Sequence, residues 1–166
     1  MEREIAQWTV TEAVFYSDRD YENPFWDVDL QVRFLAPSCV SRDVDAFWDG
    51  GRTWRVRFSP DEVGPWSWVT LCSDRGNTGL DDQAGEFICI PYEGDNIVYR
   101  HGRVRVSDDR RYLTWADGEP FFWLGDTAWN GVLRAREGDW QQYLAARRDQ
   151  AFTVIQFVST HWRGAK

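Results

Sequence analysis

The chain has 166 residues, 43% hydrophobic and 16% aromatic, which excludes a disordered composition and supplies apolar material for one full domain plus a remainder. A formal net charge of -8 and a pI near 4.7 exclude a binder of phosphate backbones, which needs clustered Lys and Arg, and leave an acidic solvated surface as the plain reading. The opening MEREIAQWTV carries charges where a signal peptide needs an apolar run, and no stretch approaches the ~20 apolar residues of a membrane span, so a cytoplasmic protein outside the membrane is expected.

Residues 8 to 106 predict a series of short strands. Trp26, Val28, Leu30, Val32 and Phe34 alternate with Asp27, Asp29, Gln31 and Arg33, a period of two that predicts one strand over 26–34 with a single wet face. Trp54, Val56 and Phe58 alternate with Arg55 and Arg57 behind the turn signal Asp49-Gly50-Gly51, which places Trp54 in the core and Arg52, Arg55 and Arg57 on a solvated face. Trp66 and Trp68 share a face after a turn region running from Pro60 to Pro65, where core or interdomain surface is expected. Phe87–Ile90 and Val104–Val106 supply further strands. Turns recurring about every 8 to 12 residues predict a mainly β fold, an immunoglobulin-like antiparallel β-sandwich over residues 1–107, although the immunoglobulin Cys-Trp-Cys arrangement is missing.

The sandwich carries many of the 11 tryptophans. Trp48, Trp54, Trp66 and Trp68 would make a sugar-stacking platform if several faced outward; the alternation favours the core, and so a structural brace over a strong sugar binder. Cys39, Cys72 and Cys89 are odd in number and far apart, which suits buried free thiols in a reducing compartment. No CxxC or His-rich spacing suggests a metal, and no phosphate-binding loop or dinucleotide fingerprint suggests a cofactor, so none is expected.

The pattern changes after Ser107, and residues 108–166 are expected to form a second domain. Tyr112–Trp115, the turn Asp117-Gly118-Glu119-Pro120 and Phe121–Leu124 read as a hairpin whose second arm, apolar on both faces, suits a buried strand of a parallel sheet. Residues 137–149 read as a helix with Trp140, Tyr143 and Leu144 on one face and Arg147 and Arg148 near its C-terminal end. Phe152–Val158 is again apolar and β-branched. Strand, helix and strand make one βαβ unit, whose open edges and apolar face require neighbouring strands.

These residues carry a resemblance. Asn23-Pro24-Phe25, the segment FWDGGRTWRVRFSPDEVGPWSW at 47–68 and His101-Gly102 resemble an uncharacterised sandwich domain found at the N-terminus of some glycoside hydrolases. DGEPFFWLGDTAW at 117–129 and AFTVIQFVSTHWRG at 151–164 resemble the start of the apiosidase-like glycoside hydrolase domain that commonly follows it. The resemblance implies an incomplete (β/α)8 barrel, of which one βαβ unit is present, with its active site at the C-terminal ends of the strands. It implies substrate contacts at Asp126, Trp129, His161 and Trp162: Asp126 accepting from sugar hydroxyls, Trp129 and Trp162 stacking on a sugar ring, and His161 at the pocket rim. Local readings stand beside these, since Asp126 can also satisfy nearby backbone N–H groups and Trp129 can pack in a core.

Glycoside hydrolysis ordinarily uses two carboxyl groups across the scissile bond. In the barrels this sequence resembles, they come from later strands, so no catalytic residue is assigned here; Glu137 and Asp139 fit the first turn of the helix, where carboxylates favour the dipole. The expected function is therefore the N-terminal part of a glycoside hydrolase acting on plant-type oligosaccharides, catalytically incomplete by itself. A stand-alone carbohydrate-binding or protein-interaction module is the alternative, and the uncovered strands predict self-association.

Overall fold

In the computed structural model, which describes residues 3–160, the chain divides after Arg103 into two units. The first contains β1 (Glu4–Ala6), β2 (Thr11–Tyr16), α1 (Pro24–Asp27), β3 (Leu30–Leu35), β4 (Ser41–Asp45), β5 (Phe47–Trp48), β6 (Thr53–Phe58), β7 (Gly64–Cys72), β8 (Ala84–Ile90) and α2 (Ile97–His101). Its strands form a five-stranded sheet in the order β1-β8-β7-β3-β4 and a three-stranded sheet in the order β2-β6-β5. Alternation explains how the two share a core. Leu30, Val32 and Phe34 point inward from β3, and Trp54, Val56 and Phe58 from β6, all buried. Phe34 stacks on Phe58 at 3.9 Å between ring centres, and Phe58 meets Trp66 of β7 edge-on at 5.2 Å. Rings from both sheets thus interlock, burying the large apolar areas that dominate the stability of such a layer pair.

The wet face of β6 is ordered by charge. Arg55 and Arg57 both pair with Glu12 on the neighbouring β2, Arg55 also reaches Asp49, and Arg52 pairs with Asp20. The Asp49-Gly50-Gly51 turn closes the β5–β6 hairpin as expected, with Gly50 and Gly51 both at positive φ and the Thr53 N–H donating to the Gly50 carbonyl at 3.0 Å.

Several expectations are corrected. The strand expected over 26–34 begins only at Leu30, because Pro24 pre-sets a helical turn and the Asp27 carboxylate accepts the Asn23 N–H at 2.8 Å; Trp26 consequently stands 78% exposed. The five-stranded sheet is not purely antiparallel, since β1 runs parallel to β8. Cys39 lies exposed in the turn between β3 and β4, whereas Cys72 and Cys89 are buried as expected. Of residues 104–106, expected with the sandwich, Arg105 and Val106 pair instead within the second unit.

The second unit contains β9 (Arg105–Val106), β10 (Leu113–Thr114), β11 (Pro120–Phe121), β12 (Gly125–Thr127), α3 (Gly131–Arg134), α4 (Glu137–Asp149) and β13 (Val154–Gln156). β9, β10 and β11 form a small antiparallel sheet, and β12 pairs parallel to β13. The apolar arm at 121–124 is therefore divided: Phe121 closes the hairpin, and parallel pairing begins at Gly125. Between them the Leu124 carbonyl accepts the N–H groups of Thr153 and Val154, leaving Phe122 and Trp123 exposed at the bend. Helix α4 spans the residues the periodicity predicts. No closed barrel is present among the described residues. Nor, among them, is any helix long and apolar enough to cross a membrane.

Candidate functional site

The strand–helix–strand segment of the second unit positions the residues singled out in the sequence. β12 and β13 align with Gly125 opposite Val154, Asp126 opposite Ile155 and Thr127 opposite Gln156. The pairing continues beyond both strands, as the Ala128 N–H donates to the Gln156 carbonyl and the Val158 N–H to the Trp129 carbonyl. Two adjacent C-terminal strand ends result.

Asp126 lies in the middle of β12, and its carboxylate is engaged on the α4 side. Its Oδ2 accepts from the Tyr143 hydroxyl at 2.8 Å and from Arg147 Nε, while Oδ1 accepts the Thr127 N–H at 2.8 Å. The Arg147 guanidinium and then the Tyr143 hydroxyl hold the Asp126 carboxyl below the usual carboxylate range, because both stabilise its charged form. Burial, and then the bond to Asp126, raises the Tyr143 phenol. Tyr143 and Arg147 are four residues apart and so share a face of α4, with the guanidinium 5.0 Å from the Tyr143 ring centre and 5.3 Å from that of Phe152. Asp126, Tyr143 and Arg147 thus form an ion-paired cluster that ties the first parallel strand to the helix.

Trp129 follows β12 at a positive φ of 38° and is 57% exposed beside the strand ends. Trp140 stacks on Tyr143 at 5.2 Å and meets Phe157 edge-on at 5.8 Å, fixing the start of α4 against the chain after β13. His161 and Trp162 lie outside the described residues. The structure therefore brings Asp126 and Trp129 to one strand and its end, but with Asp126 already bonded to Tyr143 and Arg147. Sequence reasoning missed these two partners; the signal available was an aromatic hydroxyl and a guanidinium at helical spacing after an acidic strand residue.

Glu137 and Asp139 occupy the first turn of α4. Asp126 is the only carboxylate on a described strand of the second unit. Most glycosidases use two carboxyl groups roughly 5 to 9.5 Å apart; the described strands of the second unit hold one. No group of three or more His, Cys, Asp or Glu among the described residues is placed to hold a metal ion.

The first unit presents a cleft of about 620 Å³ at one end of the sandwich, floored by the buried Leu30, Trp54 and Cys72 and edged by Phe25 and Trp48. Sequence alternation located the floor but not the rim, since Phe25 was not expected on a helical turn.

Residues 4–73 match a family described as a domain of unknown function, DUF5060. Residues 107–166 match the apiosidase-like catalytic domain. No curated protein matches the chain. Among solved structures, the chain is similar to a crystal structure of a candidate glycoside hydrolase from Bacteroides vulgatus ATCC 8482, with a TM-score of 0.76 and 25% identity over 94% of this chain. The match covers 28% of that protein, so this chain spans less than a third of its length. In that order, residues 4–73 carry a DUF5060 domain and residues 107–166 a fragment of an apiosidase-like catalytic domain.

Proposed function

We propose that this chain is the N-terminal part of a glycoside hydrolase acting on plant-type oligosaccharides, with the catalytic carboxylates supplied by strands beyond the βαβ unit described. In this reading the first unit is an immunoglobulin-like accessory sandwich and the second opens a (β/α)8 barrel. The observation that carries the reading is the parallel β12–β13 pair joined through α4, with Phe122, Trp123 and Phe157 exposed around it. Parallel strands ordinarily have both faces covered and both edges paired, as further βα repeats would achieve.

Trp129, at the end of the first parallel strand, is the proposed sugar-stacking contact, with His161 and Trp162 after the second. The role proposed for Asp126 is to hold strand and helix in place beneath that contact, its carboxylate accepting from Tyr143 and Arg147. Free thiols at Cys39, Cys72 and Cys89 favour a reducing, cytoplasmic setting.

The test compares this chain with a polypeptide extended to the length of the Bacteroides relative, assayed on aryl glycosides and pectin- and xylan-derived oligosaccharides. The 166-residue chain is expected to be silent and the longer one to release sugar. Hydrolysis by the short chain, or none by the long one on any substrate, would refute the proposal.

A further inference from the structure

The end-of-sandwich cleft in the first unit has the chemistry of a ligand site. Its volume of about 620 Å³ lies within the roughly 300–1,000 Å³ of small-molecule sites. Apolar area and hydrogen-bonding groups converge there from different elements. Trp48, on the two-residue strand β5, keeps 38% of its surface exposed, and its indole N–H donates to the Gly51 carbonyl at 2.8 Å. That bond ties the ring to its own hairpin turn, leaving a fixed aromatic face and no polar group on the indole still needing a partner. Phe25 comes from α1, which lies beside β5, and is 67% exposed.

Polar groups line the same cleft. Gln31 Nε2 donates to Asp45 Oδ1 at 3.0 Å across the β3–β4 ladder. Asp29 lies exposed one residue before β3, its carboxylate accepting no protein hydrogen bond among the described residues. Arg75, also lining the cleft, donates to Asp81 Oδ1 at 3.0 Å, so its charge is partly balanced outside. Two carboxylates lining the cleft beside one already paired guanidinium disfavour an anionic ligand. They suit a molecule rich in hydroxyl donors, and the exposed aromatic faces suit one with an apolar C–H surface; a neutral saccharide has both.

We infer that this cleft binds a short neutral oligosaccharide, with Trp48 and Phe25 as stacking platforms and Asp29, Gln31 and Asp45 as hydroxyl partners. The choice of a saccharide rests on the glycoside hydrolase reading; the location of the site does not. It also departs from the sequence-based expectation, which favoured a structural brace over a strong sugar binder.

The test titrates the 166-residue chain with xylohexaose, cellohexaose and oligogalacturonate, following indole ¹H–¹⁵N resonances and calorimetric heat. A neutral hexaose is expected to shift the Trp48 indole signal and to bind at least about tenfold more tightly than oligogalacturonate. Trp48→Ala is expected to weaken binding about tenfold or more, a factor equal to about 1.4 kcal/mol. Phe25→Ala, at a surface position outside the core, and Asp29→Asn weaken it with unchanged circular dichroism, so that loss of binding is separated from loss of fold. No response to any neutral hexaose at millimolar concentration, tighter binding of the uronate, or full affinity in both Trp48→Ala and Phe25→Ala would overturn the inference. Because the readout is binding, its failure leaves the hydrolysis assay of the extended polypeptide unaffected, and the converse also holds.

Discussion

Asn77 is fully buried, yet each end of its amide is used. Nδ2 donates to the Ser17 hydroxyl at 2.8 Å and to the Tyr21 hydroxyl at 2.7 Å, while Oδ1 accepts the N–H groups of Asp18 and Gly79 at 3.2 Å. Asn77→Ala strands these partners in a dry site and is expected to cost about 3 kcal/mol, read as a lower urea midpoint with an unchanged slope. Gly79→Ala at the same junction is expected to do at least as much harm, since a Cβ would sit 1.9 Å from the Tyr16 carbonyl oxygen. The cysteines give a second prediction. Burial pushes the Cys89 thiol up to about 11 and raises Cys72 as well, whereas Cys39 is exposed. A disulfide reagent at neutral pH should therefore modify one thiol in the folded chain and all three after denaturation; fast reaction of a second would contradict the burial. None of these contacts was legible beforehand, because a buried Asn depends on partners far away in sequence.

At the scale of elements, what could be read was whatever repeats locally. β6 and α4 emerged with the expected extents because alternation over 54–58 and helical spacing over 137–149 are written in consecutive residues. The start of β3 was not legible, since the run from Trp26 to Val28 continues the alternation while Pro24 imposes a helical turn. Nor was the division of residues 121–124, because an apolar run on both faces suits either a hairpin arm or a parallel strand. In the candidate site, the presence of a parallel pair was legible, but its first strand lies at Gly125–Thr127 and not at 121–124, and the engagement of Asp126 was not legible. That engagement predicts an acid dependence. The folded-state pKa of Asp126 lies below its unfolded value of about 3.9, so the pairing stabilises fully above about pH 4 and is lost as pH falls through the lower folded value. Asp126→Asn should lower the stability of α4 at neutral pH and flatten that acid limb, measured by far-ultraviolet circular dichroism during an acid titration. Superimposable limbs for the two proteins would contradict it.

Across the whole molecule, the two units differ in what they bury. The first holds a continuous core from Ile5 to Cys89, while the described part of the second buries only Ser107, Thr114 and Phe121. Hydrogen exchange is expected to register the contrast, with amides of β3, β6 and β7 protected and those of β12, α4 and β13 exchanging at least about a hundredfold faster. The exposed Phe122, Trp123 and Phe157 further predict self-association: sedimentation should show the mean mass rising across the micromolar range, and Phe122→Ser with Trp123→Ser should suppress the rise. A constant monomer mass would show those faces to be tolerated in water.

The parallel pairing of β1 with β8 joins Glu4 to Ile88 and Ala6 to Ile90. A ribosome releases residues 4–6 well ahead of 88–90, which follow every other strand of the first unit. Throughout that interval the edge of β8 does not yet exist, and the opening segment must wait without its neighbour. Closing so long a loop costs chain entropy before any bond repays it, so the β1–β8 seam is set to be the last of this sheet to form on a nascent chain.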